Sequence, residues 1–241
     1  MKIGLIGYGK MGKEIEKISI ERNHLIVWKV NSSCPLSQVN ISEADVLIEF
    51  TKPHLAIEHI QQSTDKNIPI VVGTTGWNDY LNEIKNEVIK KNASLLYASN
   101  FSIGVNVFFK INQLLSQLMS SQSEYKAGIE EIHHVQKLDS PSGTAISLAN
   151  DILEFNDNYE AWKLGENEIP DVIDSQLPVV SYRVPDVPGT HTVIYESNID
   201  SIKIVHEAKN RKGFALGAVL AAEWLLGKKG VFTMNDVLNI K

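Results

Sequence analysis

The densest run of reactive side chains reads Glu131-Ile132-His133-His134-Val135-Gln136-Lys137-Leu138-Asp139-Ser140-Pro141-Ser142-Gly143-Thr144. A histidine exchanges a proton near neutral pH. Lys137, four residues after His133, is a fixed cation. Ser142-Gly143-Thr144 precedes an apolar helical pattern, and the free backbone N–H groups of a helix start bind anions. A cation beside a helix start suits a carboxylate or a dicarboxylate. Neighbouring residues of a strand face opposite sides, so His133 and His134 take different roles unless the strand has already ended. His24, His54, His59, His191 and His206 have no comparable company and read as structural or solvent-exposed, and the four tryptophans read as packing residues.

A second chemical signature lies at the start of the chain. Gly7-Tyr8-Gly9-Lys10-Met11-Gly12 is a G-x-G-x-x-G that follows an apolar strand and opens a helix. In that context Gly7 permits a tight turn, Gly9 admits a pyrophosphate to the backbone, and Gly12 lets helix and strand approach. The acid expected about 20 residues further on, to hold the ribose hydroxyls, is missing: the second strand ends Lys29-Val30-Asn31-Ser32-Ser33. Its loss removes a repulsion against a 2′-phosphate, and Lys10 or Lys29 would supply positive charge. The pattern leans to NADPH over NADH. Gly73-Thr74-Thr75-Gly76 and Ala98-Ser99-Asn100-Phe101 end later strands, where the nicotinamide half of such a cofactor belongs.

Apolar runs and helical patterns alternate through the first hundred residues. Strands are expected at 2–6, 24–30, 45–50, 68–72 and 94–98, with helices at 10–22, from Pro53, and at 78–91. Such alternation implies a doubly wound parallel sheet of Rossmann type, with ligand at the carboxyl ends of its strands. After Phe101 the pattern changes to a helix over 103–119, a strand over 125–135, a helix over 144–155, a loop-rich stretch over 156–178, and strands at 179–184, 191–197 and 201–208. This is an α+β domain with a mixed or antiparallel sheet. A last helix over 214–226 is expected to pack back on the first domain. The expected division is 1–101 with 211–241 for the dinucleotide and 102–210 for substrate and oligomerisation, with hinges at 100–102 and 210–213.

Composition narrows the class. The chain has 241 residues, 43% of them hydrophobic and 22% charged, and a formal net charge of −6. That charge disfavours nucleic acid as a partner. The single cysteine, Cys34, permits no internal disulfide, which suits a reducing cytoplasm. No Cys/His cluster suggests a metal. No apolar stretch approaches the roughly 20 residues of a membrane span, and no signal peptide is evident.

Taken together, these residues resemble the 4-hydroxy-tetrahydrodipicolinate reductase family, long called dihydrodipicolinate reductase. The resemblance covers nearly the whole chain. It rests on Gly7–Gly12, on Glu49-Phe50-Thr51 with Pro53, on Gly73–Gly76, on Asn100-Phe101-Ser102-Ile103-Gly104-Val105-Asn106, and above all on the string from Glu131 to Thr144. The resemblance implies that NAD(P)H reduces a cyclic imine dicarboxylate to tetrahydrodipicolinate in diaminopimelate and lysine biosynthesis, with no metal. It implies His133 as acid/base, Lys137 as proton donor and carboxylate anchor, and His134, Gly143 and Thr144 as substrate contacts. Cofactor contacts would come from Gly7–Gly12, Gly73–Thr75 and Ala98–Phe101. A homotetramer built through the second domain's sheet is also implied. The chain departs from the family in its missing acid and in a short segment between Val30 and Asp45. Two other readings share the first domain: a different reductase of small carboxylates, and a sensor that binds NAD(P)H without turnover.

Overall fold

The computed structural model describes residues 1–210 and 212–240; Arg211 and Lys241, which fall in the expected second hinge and at the end of the first domain, lie outside the described residues. The chain runs β1 (Lys2–Ile6), α1 (Lys10–Glu21), β2 (Leu25–Val30), β3 (Val46–Glu49), α2 (Pro53–Asp65), β4 (Ile70–Val72), α3 (Leu81–Lys90) and β5 (Ser94–Tyr97). It continues with α4 (Ile103–Met119), β6 (Lys126–His133), α5 (Gly143–Phe155), β7 (Ala161–Glu166), β8 (Gln176–Arg183), β9 (Thr190–Glu196) and β10 (Ser201–Glu207). It ends with α6 (Lys212–Leu225), β11 (Gly230–Phe232) and α7 (Met234–Val237). Two compact units result: Met1–Ile103 with Arg211–Lys241, and Gly104–Asn210.

The first unit is built on a six-stranded sheet in the order β11-β5-β4-β3-β1-β2, every pair parallel. A parallel sheet is covered on both faces, so its central strands are apolar throughout rather than alternating; Val46, Leu47, Ile48 and Glu49 of β3 are all buried. Ile3, Leu5, Ile48, Val71 and Leu96 face α1 and the small side chains of α6, Ala215, Ala218 and Ala222. Ile6, Leu47, Ile70, Val72 and Leu95 face Ile60 of α2 and Ile84 and Val88 of α3. Gly217 allows α6 to approach this closely, since a Cβ there would meet the Phe101 carbonyl oxygen at 1.7 Å.

The second unit has a five-stranded mixed sheet in the order β10-β9-β6-β8-β7. β8 runs parallel to both β6 and β7, while β9 is antiparallel to β6 and to β10. One face packs Ala127, Ile129, Val179, Val193 and Tyr195 against Phe108 of α4 and Leu148, Ala149 and Ile152 of α5. Residues 156–178 are not simply loop as the sequence suggested. They contain β7 and the start of β8; β7 is an edge strand with a single buried residue, Gly165, so its apolar pattern is weak.

Candidate functional site

At the carboxyl ends of the first sheet the glycine turn adopts the geometry its spacing demands. Gly7 has φ +98°, and a Cβ there would lie 2.0 Å from the Phe50 carbonyl oxygen. A Cβ on Gly12 would lie 2.2 Å from the Gly7 carbonyl oxygen. Both glycines are thus required by the protein's own packing. Gly9 is different. Its φ is −85° and nothing stands within 4 Å of a Cβ built on it. The space in front of it is open among the described residues, and the start of α1 offers the N–H groups of Lys10, Met11 and Gly12 there.

Two cavities, of about 510 and 600 Å³, share Gly9 and Thr51. The first extends past Lys10–Gly12 to Gly73, Thr74 and Thr75. The second passes Tyr8 to Val30–Ser32 and Pro35–Ser37, at the end of β2. Thr74 Oγ1 accepts the Thr51 N–H at 2.7 Å, and Trp77 Nε1 donates to the Thr74 carbonyl at 2.7 Å, which fixes the wall between β3 and β4. An apolar-and-polar trough with a helix start at its middle fits a dinucleotide. Neither cavity includes Ala98–Phe101 in its lining. Phe101 is buried against Phe50, with ring centroids 5.7 Å apart, and its carbonyl packs on Gly217 of α6.

The two lysines proposed to meet a 2′-phosphate differ in the structure. Lys10 is exposed. Lys29 is engaged: its Nζ lies 2.6 Å from Glu16 Oε1 and 4.7 Å from the centre of the Tyr8 ring, while Tyr8 Oη also donates to Glu16. The hydrogen bond to Lys29 holds Glu16 below the usual carboxylate range, and the same bond raises Lys29. Where the ribose acid would stand, Asn31 Oδ1 accepts the N–H groups of Ser33 and Cys34 at 2.8 and 3.0 Å.

In the second unit strand register assembles the other site. β6 is central, and its alternation buries Glu131 and His133 on the same face. β8 places Ser181 beside Glu131 and Arg183 beside His133. β9 places His191 beside Glu131. β6 ends at His133, so His134 lies just past the strand and the opposite-face argument does not apply to it.

Glu131, fully buried, is the hub. Ser142 N–H donates to both of its oxygens, at 3.0 and 3.1 Å, and Ser181 Oγ donates to Oε1 at 2.7 Å. Arg183 Nη1 stands 3.4 Å from Oε1. His133 Nδ1 and His191 Nε2 face Oε2 at 3.5 and 3.6 Å. Burial works to raise this carboxyl, but the facing His191, the hydrogen bonds from Ser142 and Ser181, and the nearby His133 outweigh it and hold the group far below the usual range. His133 is 7% exposed. Burial moves its imidazole down to about 4; Glu131 opposes that shift, while His191, Lys137 and Arg183 reinforce it. Ser142 caps α5 by accepting the Ala145 N–H at 3.2 Å, which presents Gly143 and Thr144 in the first turn, and a Cβ on Gly143 would meet nothing within 4 Å. Lys137 Nζ grips both oxygens of Asp139 at 2.8 Å.

The ligand atoms of Glu131, His133 and His191 lie within 4.8 Å of one another, close enough to share a divalent ion. Arg183 already faces the same carboxylate and opposes a second cation there.

Four participants had no signal in the sequence. His191, read there as structural or solvent-exposed, is buried at 5% exposure and lies 3.0 Å from Ser142 Oγ. Ser181 and Arg183 join through strand pairing alone. Gly189, at φ +155°, would put a Cβ 2.9 Å from His133 Nε2. Of the other histidines, His24 pairs with Glu223 and His59 with Glu49, in structural settings.

Residues 1–101 match the family model described as dihydrodipicolinate reductase, N-terminus, and residues 104–238 match dihydrodipicolinate reductase, C-terminus. The 4-hydroxy-tetrahydrodipicolinate reductase of Christiangramia forsetii is 49% identical over 99% of this chain and 98% of its own length. That of Methanoregula boonei is 35% identical over 82% of this chain and 76% of its own. Among solved structures, the dipicolinate-bound dihydrodipicolinate reductase of Paenisporosarcina sp. TG-14 shares the fold, with a TM-score of 0.78 at 23% identity, covering 100% of this chain and 99% of that one. The chain therefore belongs to the dihydrodipicolinate reductase family, the NAD(P)H-dependent oxidoreductases of lysine and diaminopimelate biosynthesis.

Proposed function

We propose that this chain reduces 4-hydroxy-tetrahydrodipicolinate to tetrahydrodipicolinate, with His133 as its acid/base and Lys137 as carboxylate anchor and proton donor. The single observation that carries the assignment is the Glu131–His133 pair at the end of β6, next to the capped start of α5. NAD(P)H bound by Gly7–Gly12 and Gly73–Thr75 would supply a hydride to C4, and the 4-hydroxyl would leave as water with one proton taken up. The start of α5, at Gly143 and Thr144, takes one substrate carboxylate through its N–H groups. Lys137 exchanges Asp139 for a second carboxylate, and His134 adds a contact. With an imidazole near 4, His133 is neutral in the free protein at pH 7. A bound dianion favours its protonated form, so binding charges the acid when it is needed. A positioned acid of this kind is typically worth about 10²–10⁴-fold.

We also infer a preference for NADPH over NADH. The support is the absent acid after β2, the exposed hydroxyls of Ser32 and Ser33, and exposed Lys10; the engagement of Lys29 by Glu16 limits the preference. A homotetramer is supported by the second face of the mixed sheet, where Gly128, Glu130, Pro178, Val180 and Ile194 line a groove of about 590 Å³. A cytoplasmic setting accords with the free thiol of Cys34. No helix among the described residues is long and apolar enough to cross a membrane.

The test is a coupled assay at 340 nm in which dihydrodipicolinate synthase generates the unstable substrate in place, with NADPH and NADH compared. Oxidation that depends on the synthase product is expected, and the rate ratio reports the coenzyme. Binding of NADPH without any oxidation would overturn the assignment in favour of another substrate or a sensor.

A further inference from the structure

We infer that Glu131 is a positioning residue: its buried carboxylate fixes His133 in the tautomer that keeps the proton on Nδ1 and leaves Nε2 as the nitrogen that exchanges a proton with substrate. The inference rests on the reading of His133 as the acid/base.

The geometry supports it from three sides. His133 Nδ1 is sealed from solvent and makes no hydrogen bond as short as a normal one, but it faces Glu131 Oε2 at 3.5 Å. A sealed nitrogen facing a carboxylate carries the hydrogen, because a lone pair there would face like charge without compensation. The other nitrogen, Nε2, points to the place where Gly189 has no side chain; a Cβ would fill that space at 2.9 Å. The ring thus has one closed end that faces the carboxylate and one end that the backbone leaves bare. Finally, Glu131 is itself immobilised. Ser142 N–H, Ser181 Oγ and Arg183 hold it from the α5 cap and from β8, so the carboxylate is a fixed reference rather than a mobile counter-ion.

The same carboxylate links two jobs. By accepting the Ser142 N–H with both oxygens it fixes the residue that caps α5, and so aims the Gly143–Thr144 turn. The acid and the anion site are therefore referred to one buried group, 11 residues from Ser142 and two from His133.

The charged groups around the His133 ring are Glu131 on its own strand, Arg183 on β8, His191 on β9, and Lys137 in the following loop, where Asp139 neutralises it. Only Glu131 favours the imidazolium; the three basic groups oppose it. Removing the carboxylate lowers the pH below which His133 stays protonated in the substrate complex. For an acid, activity is present below that pKa and is lost as pH rises through it. The basic limb of the kcat profile therefore moves to lower pH.

The experiment uses the full chain carrying Glu131→Gln, which keeps the shape and removes the charge, and Glu131→Asp, which keeps the charge and withdraws it by about one methylene. Thermal melts check the fold. Two readouts follow: the pH profile of kcat in the coupled assay, and the ring 15N shifts of His133 at pH 7.5, assigned by their loss in His133→Gln. Glu131→Gln is expected to lower kcat at pH 7.5 at least tenfold, move the basic limb down by about one unit or more, and mix the two tautomers of His133. Glu131→Asp is expected to shift both in the same direction by less, and it carries the test if the glutamine variant does not fold. Wild-type tautomer and wild-type limb in the folded variant would overturn the inference. Lost turnover with an unchanged tautomer would also overturn it, while leaving the proposed reaction standing. A changed tautomer with full turnover would keep the control of the ring by Glu131 and remove His133 from the chemistry.

Discussion

Replacing Gly9 by alanine separates what the fold needs from what the cofactor needs. At φ −85°, with no atom within 4 Å of the new Cβ, alanine meets no strain and no clash. A glycine-to-alanine change at a compatible position stabilises by about 0.4–1 kcal/mol through the unfolded chain, so the variant should melt no lower than the parent. The methyl group does intrude on the space in front of Lys10–Gly12. A pyrophosphate oxygen held at about 2.9 Å from a backbone N–H is pushed out by roughly 1 Å, past hydrogen-bonding range. Each charge-assisted hydrogen bond lost is worth about 1.5–3 kcal/mol. The loss of one predicts a rise in the NADPH dissociation constant of roughly 10- to 100-fold, since about 1.4 kcal/mol is tenfold. Fluorescence titration of the nicotinamide reads this directly, beside a thermal melt of the free protein. Gly12→Ala is the contrast: its Cβ would lie 2.2 Å from the Gly7 carbonyl, so it should lower stability as well as affinity. A folded Gly9→Ala protein that binds NADPH like the parent would refute the placement of the pyrophosphate.

Three further outcomes are expected. Gly189→Ala drives a methyl to 2.9 Å from His133 Nε2 at a φ of +155°; a displacement of about 1 Å in a reacting group costs on the order of 10²-fold, so kcat should fall steeply in the coupled assay with NADPH affinity intact. His133 has its folded pKa moved down from 6.5 to about 4. The unfolded chain therefore binds the extra proton first, and stability that is intact above pH 6.5 is lost as pH falls towards 4, by about 3 kcal/mol at roughly 1.4 kcal/mol per unit; denaturant melts across that window should show a shallower loss in His133→Gln. Glu16→Gln releases Lys29 from its partner at 2.6 Å; the NADPH-to-NADH ratio of kcat/KM should rise several-fold, and an unchanged ratio would remove Lys29 from coenzyme selection.

The sequence made the first sheet legible because parallel strands buried on both faces leave unbroken apolar runs such as Ile3–Ile6 and Val46–Ile48, punctuated by glycine turns. β11 escaped because Gly230–Phe232 is three residues long and half-buried, too short for any period. β7 escaped because an edge strand alternates weakly. In the second unit the string from Glu131 to Thr144 gave the site's first element, since those residues are adjacent in the chain. Its remaining members come from pairing across the sheet. His191 stands beside Glu131 through an antiparallel register, and Arg183 beside His133 through a parallel one. Register is a property of the assembled sheet, and no local spacing announces it. The engagement of Lys29 was hidden in another way: Glu16 lies in a helix 13 residues earlier, and only the packing of α1 beside β2 brings the charges together.

The return of α6 and β11 to the first unit has a consequence for how the chain is made. β11 completes the sheet edge against β5, and α6 covers Ile3, Leu5 and Leu96, with Arg22 tied to Glu223 at 2.8 Å. Between the two parts of that unit come residues 104–210. A ribosome adding about 5–20 residues per second takes roughly 5–20 s to produce them. Throughout that interval the nascent cofactor half has an unpaired strand edge and a bare apolar face. The second unit, continuous in sequence, has every strand it needs as soon as β10 emerges. Biogenesis should therefore run opposite to the order of the chain: the middle closes first, and the beginning waits for the end.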